Sequence, residues 1–125
     1  MDKEQLKQRT KKFAHRCVKL ALCLPASVLG NHVRQQLIRC STSVGANYRA
    51  VCMAQSKATF IAQQAIVLEE ADESCFWMEF IIDELLIVRK KVVPLLEEGK
   101  QLVAIFVASQ KTARRRGKAV RENVE

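Results

Sequence analysis

Turn-forming residues are scarce: the 125-residue chain carries 4 Gly and 2 Pro. A many-stranded fold needs a turn every few residues, so this scarcity favours a few long helices. Long apolar runs are missing too. Asp83 and Glu84 interrupt the most apolar stretch, Phe80 to Val88, and nothing approaches the roughly 20 residues of a bilayer-spanning helix. The first residues mix Lys and Arg with Gln and Glu, with no early apolar core of the kind a signal peptide carries. Histidine is limited to His15 and His32, and the five cysteines show no C-x-x-C spacing, so no zinc-ligand cluster is assembled. Neither GxxxxGK nor GxGxxG, the glycine-rich phosphate loops, occurs.

Apolar periodicity is what the chain has in abundance. Hydrophobic residues make up 49% and charged residues 27%, a globular composition that argues against disorder as the main state. The length suits one domain. Leu6, Phe13, Cys17, Leu20 and Leu24 predict a helix over 3–24, ended by Pro25. Val33, Leu37, Cys40, Val44, Asn47, Val51 and Ala54 predict a second from Asn31 or His32 to Ala54, with one polar residue in its seam and Gly45 inviting close approach. Ser56 then caps a third helix over 57–88, whose stripe is Ile61, Gln64, Leu68, Ala71, Cys75, Met78, Ile82 and Leu85. Arg89, Lys90 and Lys91 would close it, and Pro94 would sit in the first turn of a fourth helix reaching about Arg114. Its buried face would be Val92, Leu96, Val103 and Phe106, with Leu95 and Leu102 beside them. Short connections make successive helices antiparallel neighbours. The expected architecture is all-α: an antiparallel up-and-down four-helix bundle over residues 1–113, followed by a basic, mobile tail at 114–125.

Charge is divided by segment. Residues 1–55 hold 10 Lys/Arg against 2 Asp/Glu, residues 56–88 hold one against 7, and residues 89–125 hold 10 against 4. An acidic third helix flanked by basic ones can pair its charges internally, and can also leave a basic outer surface for nucleic acid. The basic candidates are Lys7, Lys11, Lys12 and Lys19 on the first helix and Arg114, Arg115, Arg116, Lys118 and Arg121 at the end.

No residue set argues for catalysis, and no cofactor or metal is expected. Paired catalytic carboxylates converge from separate elements, and a di-metal bundle needs Glu-x-x-His, which neither histidine supplies. Ser41, Thr42 and Ser43 lie mid-helix, where hydroxyls bond back to their own backbone. Cys17, Cys40 and Cys75 fall on apolar stripes as small hydrophobes, and the odd cysteine count points to a reducing cytoplasm.

Two stretches carry a family resemblance. Thr42-Ser-Val-Gly-Ala-Asn-Tyr-Arg49 is one, and Ser56-x-x-x-Phe-Ile-x-x-x-x-x-Val-Leu-Glu-Glu-Ala-Asp-Glu-Ser-Cys-Phe-Trp-Met78 is the other. Together they resemble the bacterial four helix bundle protein family, named for proteins encoded in intervening sequences of 23S rRNA genes. The resemblance spans about residues 5–112. It implies an antiparallel bundle, a homopentamer, and kinship with the accessory variability proteins of diversity-generating retroelements, basic bundles that bind nucleic acid and work with a reverse transcriptase. Ala50 stands where the family commonly has an acid, and Gln63 where it commonly has Lys.

The leading expectation is therefore a non-catalytic, oligomeric bundle that binds nucleic acid, RNA above all, as an accessory or scaffold to a reverse transcriptase or other protein partner. Alternatives are a purely structural interaction module, and a metal-dependent enzyme using the third helix's carboxylates. Phe76, Trp77, Phe80 and Ile81 exceed what one seam buries and are expected at an oligomer interface. The resemblance favours five copies, and a dimer is the runner-up. Finally, the turn at 55–56 sets Asn47 opposite Gln64 and Arg39 opposite Asp72 and Glu73, which predicts a buried polar layer with Asn47 bonded to Gln64.

Overall fold

In the computed structural model, which describes the backbone of residues 1–124 and side chains through Lys118, four helices follow one another: α1 (Lys3–Ala21), α2 (Val28–Cys52), α3 (Lys57–Asp83) and α4 (Arg89–Val124). Each packs on the next, α1 also meets α4, and the diagonal pairs keep their backbones apart. This is the expected all-α, up-and-down four-helix bundle.

Local chemistry sets the boundaries. Asp2 and Gln5 form a reciprocal capping box at the start of α1. Ser27 caps α2 through the Gly30 amide, three residues ahead of the expected start. The α1–α2 turn closes tightly: a Cβ on Gly30 would stand 2.0 Å from the Pro25 carbonyl oxygen. Arg34 bonds the Leu24 carbonyl at 2.6 Å, which satisfies an acceptor just past the end of α1. Ser56 caps α3 as its sequence suggests, accepting from the Thr59 amide at 3.1 Å.

The α3–α4 junction departs from expectation. Helix α3 ends at Asp83, and Arg89–Lys91 open α4 instead of closing α3. The stop is a Schellman turn: Leu86 N–H donates to Ile81 O and Leu85 N–H to Ile82 O, with Leu85 at φ 57°. Glycine usually fills that left-handed position, and Leu gives no sequence signal for it. Pro94 consequently lies in the second turn of α4 and deprives the Lys90 carbonyl of its usual donor. The far end differs as well. Helix α4 continues to Val124 instead of stopping near Arg114. Arg, Lys and Ala favour helix, and Gly117 alone does not stop it; the loss of an apolar stripe ends packing, not the helix.

Phe13, Leu37, Met78, Ile81, Leu102 and Phe106 are the largest apolar side chains of the core. Straight helices turn 3.6 residues per turn, so a strict three-four stripe drifts off the core axis. On α3 the buried line runs Gln64, Val67, Ala71, Cys75, Met78 and Ile81, while Leu68 and Ile82 are half-buried. On α2 it takes Tyr48 instead of Asn47, and the Tyr48 ring meets Phe106 at 5.6 Å between centroids. Close approaches differ in severity. A Cβ on Gly99 would lie 2.8 Å from Cys75 Sγ, so α4 needs glycine there, whereas one on Gly45 would make only ordinary contact with α1.

All five cysteines are free thiols, with Cys17, Cys40 and Cys75 buried. Burial drives the Cys17 thiol far up and lifts Cys40 to about 11 and Cys75 to about 12. Such thiols stay protonated and behave as apolar filling. Among the described residues, no helix is long and apolar enough to cross a membrane.

Candidate nucleic-acid interface

The basic residues of α1 share a strip. Lys11, Lys12 and Lys19 are exposed, and Lys7 is half-buried with an ion pair to Glu4 at 3.1 Å. Lys7, Lys11, His15 and Lys19 recur every four residues, so successive members rise about 6 Å along the helix. Antiparallel packing brings Gly45 of α2 beside Thr10 and Lys11. The resulting α1–α2 groove is lined by Lys7, Lys11, His15, Thr42 and Arg49 over a floor that includes Ala14, Gly45 and Ala46. Its one acid is Glu4. Gln8, Lys12, Arg16 and Lys19 continue the surface around α1.

His15, Arg16 and Arg49 are members that sequence reasoning missed. The four-residue spacing pointed to His15, and the α1–α2 register set by Gly45 pointed to Arg49, once the two helices were taken as antiparallel neighbours.

The second basic group lies elsewhere. Arg114, Arg115, Arg116 and Lys118 are exposed on α4, and Arg114, Arg116 and Lys118 surround Lys57 at the start of α3. This groove shares no residue with those of α1. The two basic segments therefore form two separate patches. The Arg121 side chain lies outside the described residues.

The expected polar layer is rearranged. Gln64 is buried, but its amide donates to Gln110 Oε1 at 2.8 Å, and Gln110 in turn donates to the Ile61 carbonyl at 3.0 Å. Asn47 is half-buried and donates to Ser43 O of its own helix. The partner is on α4 because Tyr48 occupies the inward position of α2. Arg39 does pair with Glu73, and also with Glu70 at 3.4 Å, but that cluster is at the surface: Arg39 and Asp72 are exposed, and Asp72 makes no ion pair among the described residues. Burial raises the Glu70 carboxyl above its ordinary value, against the lowering effect of Arg39.

Internal pairing thus uses few of the acids of α3. Glu69, Asp72, Glu79 and Asp83 are exposed and have no ion-pair partner among the described residues. Across the bundle, Arg9 binds Glu98 of α4 through two 2.8 Å hydrogen bonds, and that pairing holds its guanidinium above the ordinary value. No three His, Cys, Asp or Glu side chains converge as a metal site among the described residues.

Of the expected interface residues, Ile81 is fully buried and unavailable to a partner. It falls on the drifted core line of α3. Phe76 is 52% exposed, while Trp77 and Phe80 are half-buried. The three rings cluster with His32, Phe76 and Trp77 being 4.9 Å apart, and Trp77 donates to Glu73 at 3.1 Å.

No family model matches the chain, and no curated protein matches it either. Among solved structures, it is similar to a protein of unknown function from the S23 ribosomal protein family of Bacteroides thetaiotaomicron, with 30% identity and a TM-score of 0.74. The match covers 84% of this chain and 97% of the other.

Proposed function

Starting from a chain that belongs to the S23 ribosomal protein family, we propose a non-catalytic, oligomeric bundle that binds nucleic acid along its α1–α2 strip. One observation carries the reading: Lys7, Lys11, His15 and Arg49 line a groove with a single acid, and Lys12, Arg16 and Lys19 extend it. Such an array neutralises consecutive phosphates and releases their counterions. RNA is the favoured ligand, because the motifs on α2 and α3 resemble proteins encoded in rRNA intervening sequences. An accessory or scaffolding role beside a nucleic-acid enzyme such as a reverse transcriptase fits a surface that holds phosphates and carries no catalytic set.

Phosphate contacts position a ligand without reading its bases. His15 is the one ring lining the α1–α2 groove, which has no Phe, Tyr or Trp, so stacking contributes little and sequence preference is weak. The arginines of α4 form a smaller, separate patch. The test is binding of short single-stranded RNA and DNA by the intact protein at two salt concentrations. Binding that falls steeply with salt and varies little with sequence supports the reading. No binding at low salt, or binding indifferent to salt, would favour a protein-interaction module.

A further inference from the structure

Two hollows meet at the end of the bundle where α3 begins. One, of about 520 Å³, lies between the α2–α3 turn and α4, with Ala54, Phe60 and Ala113 as apolar walls and Gln55, Ser109 and Thr112 as polar ones. The other, of about 700 Å³, is the α3–α4 groove floored by Ala58, Ile61 and Gly117. Lys57 and Arg116 line both, and so form the saddle between them. No described Asp or Glu lines either hollow, and neither cation has an ion-pair partner among the described residues.

Helical spacing assembles this end. Lys57 and Phe60 are three residues apart on α3, so they share a face and differ by about 4.5 Å in height. Ser109, Thr112 and Arg116 follow at steps of three and four on α4. Lys57 reaches toward α4: a Cβ on Gly117 would stand 3.8 Å from its Cδ. Across the hollow from Phe60, α4 offers Ala108, Ser109, Thr112 and Ala113. These are small side chains, so a slot stays open beside a half-buried ring.

The chemistry of the slot limits what it can hold. An aromatic ring gives a planar group a face to stack on, whatever the identity of the base. Amide and hydroxyl groups nearby can meet the polar edge of that group. Two cations at one rim exceed what a single carboxylate needs and match a phosphate. The α1–α2 strip, by contrast, carries cations with no Phe, Tyr or Trp among them.

We infer that this end of the bundle binds one nucleotide, its base stacked on Phe60 between the α2–α3 turn and α4, its phosphate on Lys57 and Arg116. The site shares no residue with the α1–α2 strip and does not rest on it. A free nucleoside monophosphate and the 5′-phosphorylated end of a strand present the same chemistry.

Isothermal titration calorimetry of the intact protein with adenosine 5′-monophosphate, adenosine and inorganic phosphate tests the site. The monophosphate should bind about tenfold or more tighter than either part alone, because its two contacts are linked. Phe60→Leu keeps apolar bulk against the core but removes the ring, and should weaken monophosphate binding about tenfold. Lys57→Ala with Arg116→Ala should bring the monophosphate down to the level of adenosine. Lys90→Ala with Lys91→Ala removes the same charge at the far end of the bundle and should change nothing. A 5′-phosphorylated oligoadenylate that binds tighter than its 5′-hydroxyl counterpart, with the gain lost in Phe60→Leu, assigns the site to strand ends; monophosphate binding without that gain assigns it to free nucleotide. No monophosphate binding at millimolar concentration, binding no tighter than inorganic phosphate, or binding indifferent to Phe60→Leu or to loss of Lys57 and Arg116 would overturn the inference. Any of these failures leaves salt-dependent strand binding by the α1–α2 strip untouched.

Discussion

Helices α1 and α3 occupy opposite corners of the bundle and bury similar stripes, yet their outer faces carry opposite charge. Lys11, Lys12 and Lys19 face out from α1, and Glu69, Asp72, Glu79 and Asp83 from α3. The net charge of +8 conceals this division. Segment charges suggested that α3 would be neutralised by its neighbours. Among the described residues, Arg39 alone forms ion pairs with it from α2, and takes only Glu70 and Glu73. Charge on a helix is spent internally only where its face is turned to a neighbour, and a corner helix keeps much of its surface outside. One corner thus presents a row of cations and the other a row of acids.

Charge reversal should break the comparison most strongly. Lys11→Glu, Lys12→Glu and Lys19→Glu together should weaken nucleic-acid binding about 100-fold or more at low salt, because three phosphate contacts become repulsions. Reversing Glu69, Asp72 and Glu79 to Lys should leave binding intact or tighten it. Anisotropy with a labelled single strand checks both.

The buried polar residues of the two corners sharpen it. Thr10 on α1 is fully buried but satisfied locally, bonding the Leu6 and Lys7 carbonyls. Gln64 on α3 is satisfied across helices by Gln110. Gln64→Leu should cost about 1–3 kcal/mol by leaving Gln110 Oε1 without its donor, while Thr10→Val should cost under about 1 kcal/mol, since its two acceptors are already in the helix ladder. Urea denaturation reads the difference.

Alkali should loosen the core that the corners share. Buried Cys40 and Cys75 have thiols raised to about 11 and about 12, so above the ordinary thiol range the unfolded chain loses protons that the folded one keeps. Stability should hold below that range and fall as pH rises through it toward 11 and 12. Cys40→Ala with Cys75→Ala should flatten the alkaline limb of a melting-temperature profile, whatever it does to stability at neutral pH.

The smallest effects belong to the helix ends. Asp2→Ala removes the capping box of α1 and should cost about 1 kcal/mol. Leu85→Gly relieves a left-handed residue that is 88% exposed and should stabilise by about 0.5–1 kcal/mol. Thermal melts of the two variants should move in opposite directions.

Much of the fold was legible because apolar periodicity reports burial directly, and Ser56 marked its own cap. What escaped notice depends on geometry that residue type does not announce. Leu85 ends α3 in a conformation that glycine would have advertised. Gln110 continues the buried line Gly99, Leu102, Phe106 past the last large apolar residue, so a reading that stopped at Phe106 paired Gln64 with Asn47 instead. Of the candidate site, the lysines of α1 were visible as charges. Arg49 became part of the strip only through the α1–α2 register, and the separation of the α4 arginines from that strip is a property of azimuth, not of sequence distance.

The salt dependence of single-strand RNA binding tests the α1–α2 strip most directly. For the intact protein log K should fall linearly with log salt, and replacing Lys11, Lys12 and Lys19 with Ala should reduce the slope by about 2, at roughly 0.7 per lost phosphate contact. Replacing Glu69, Asp72 and Glu79 with Ala should not reduce it. A slope unchanged by the loss of the three α1 lysines would contradict a phosphate-binding strip on that corner.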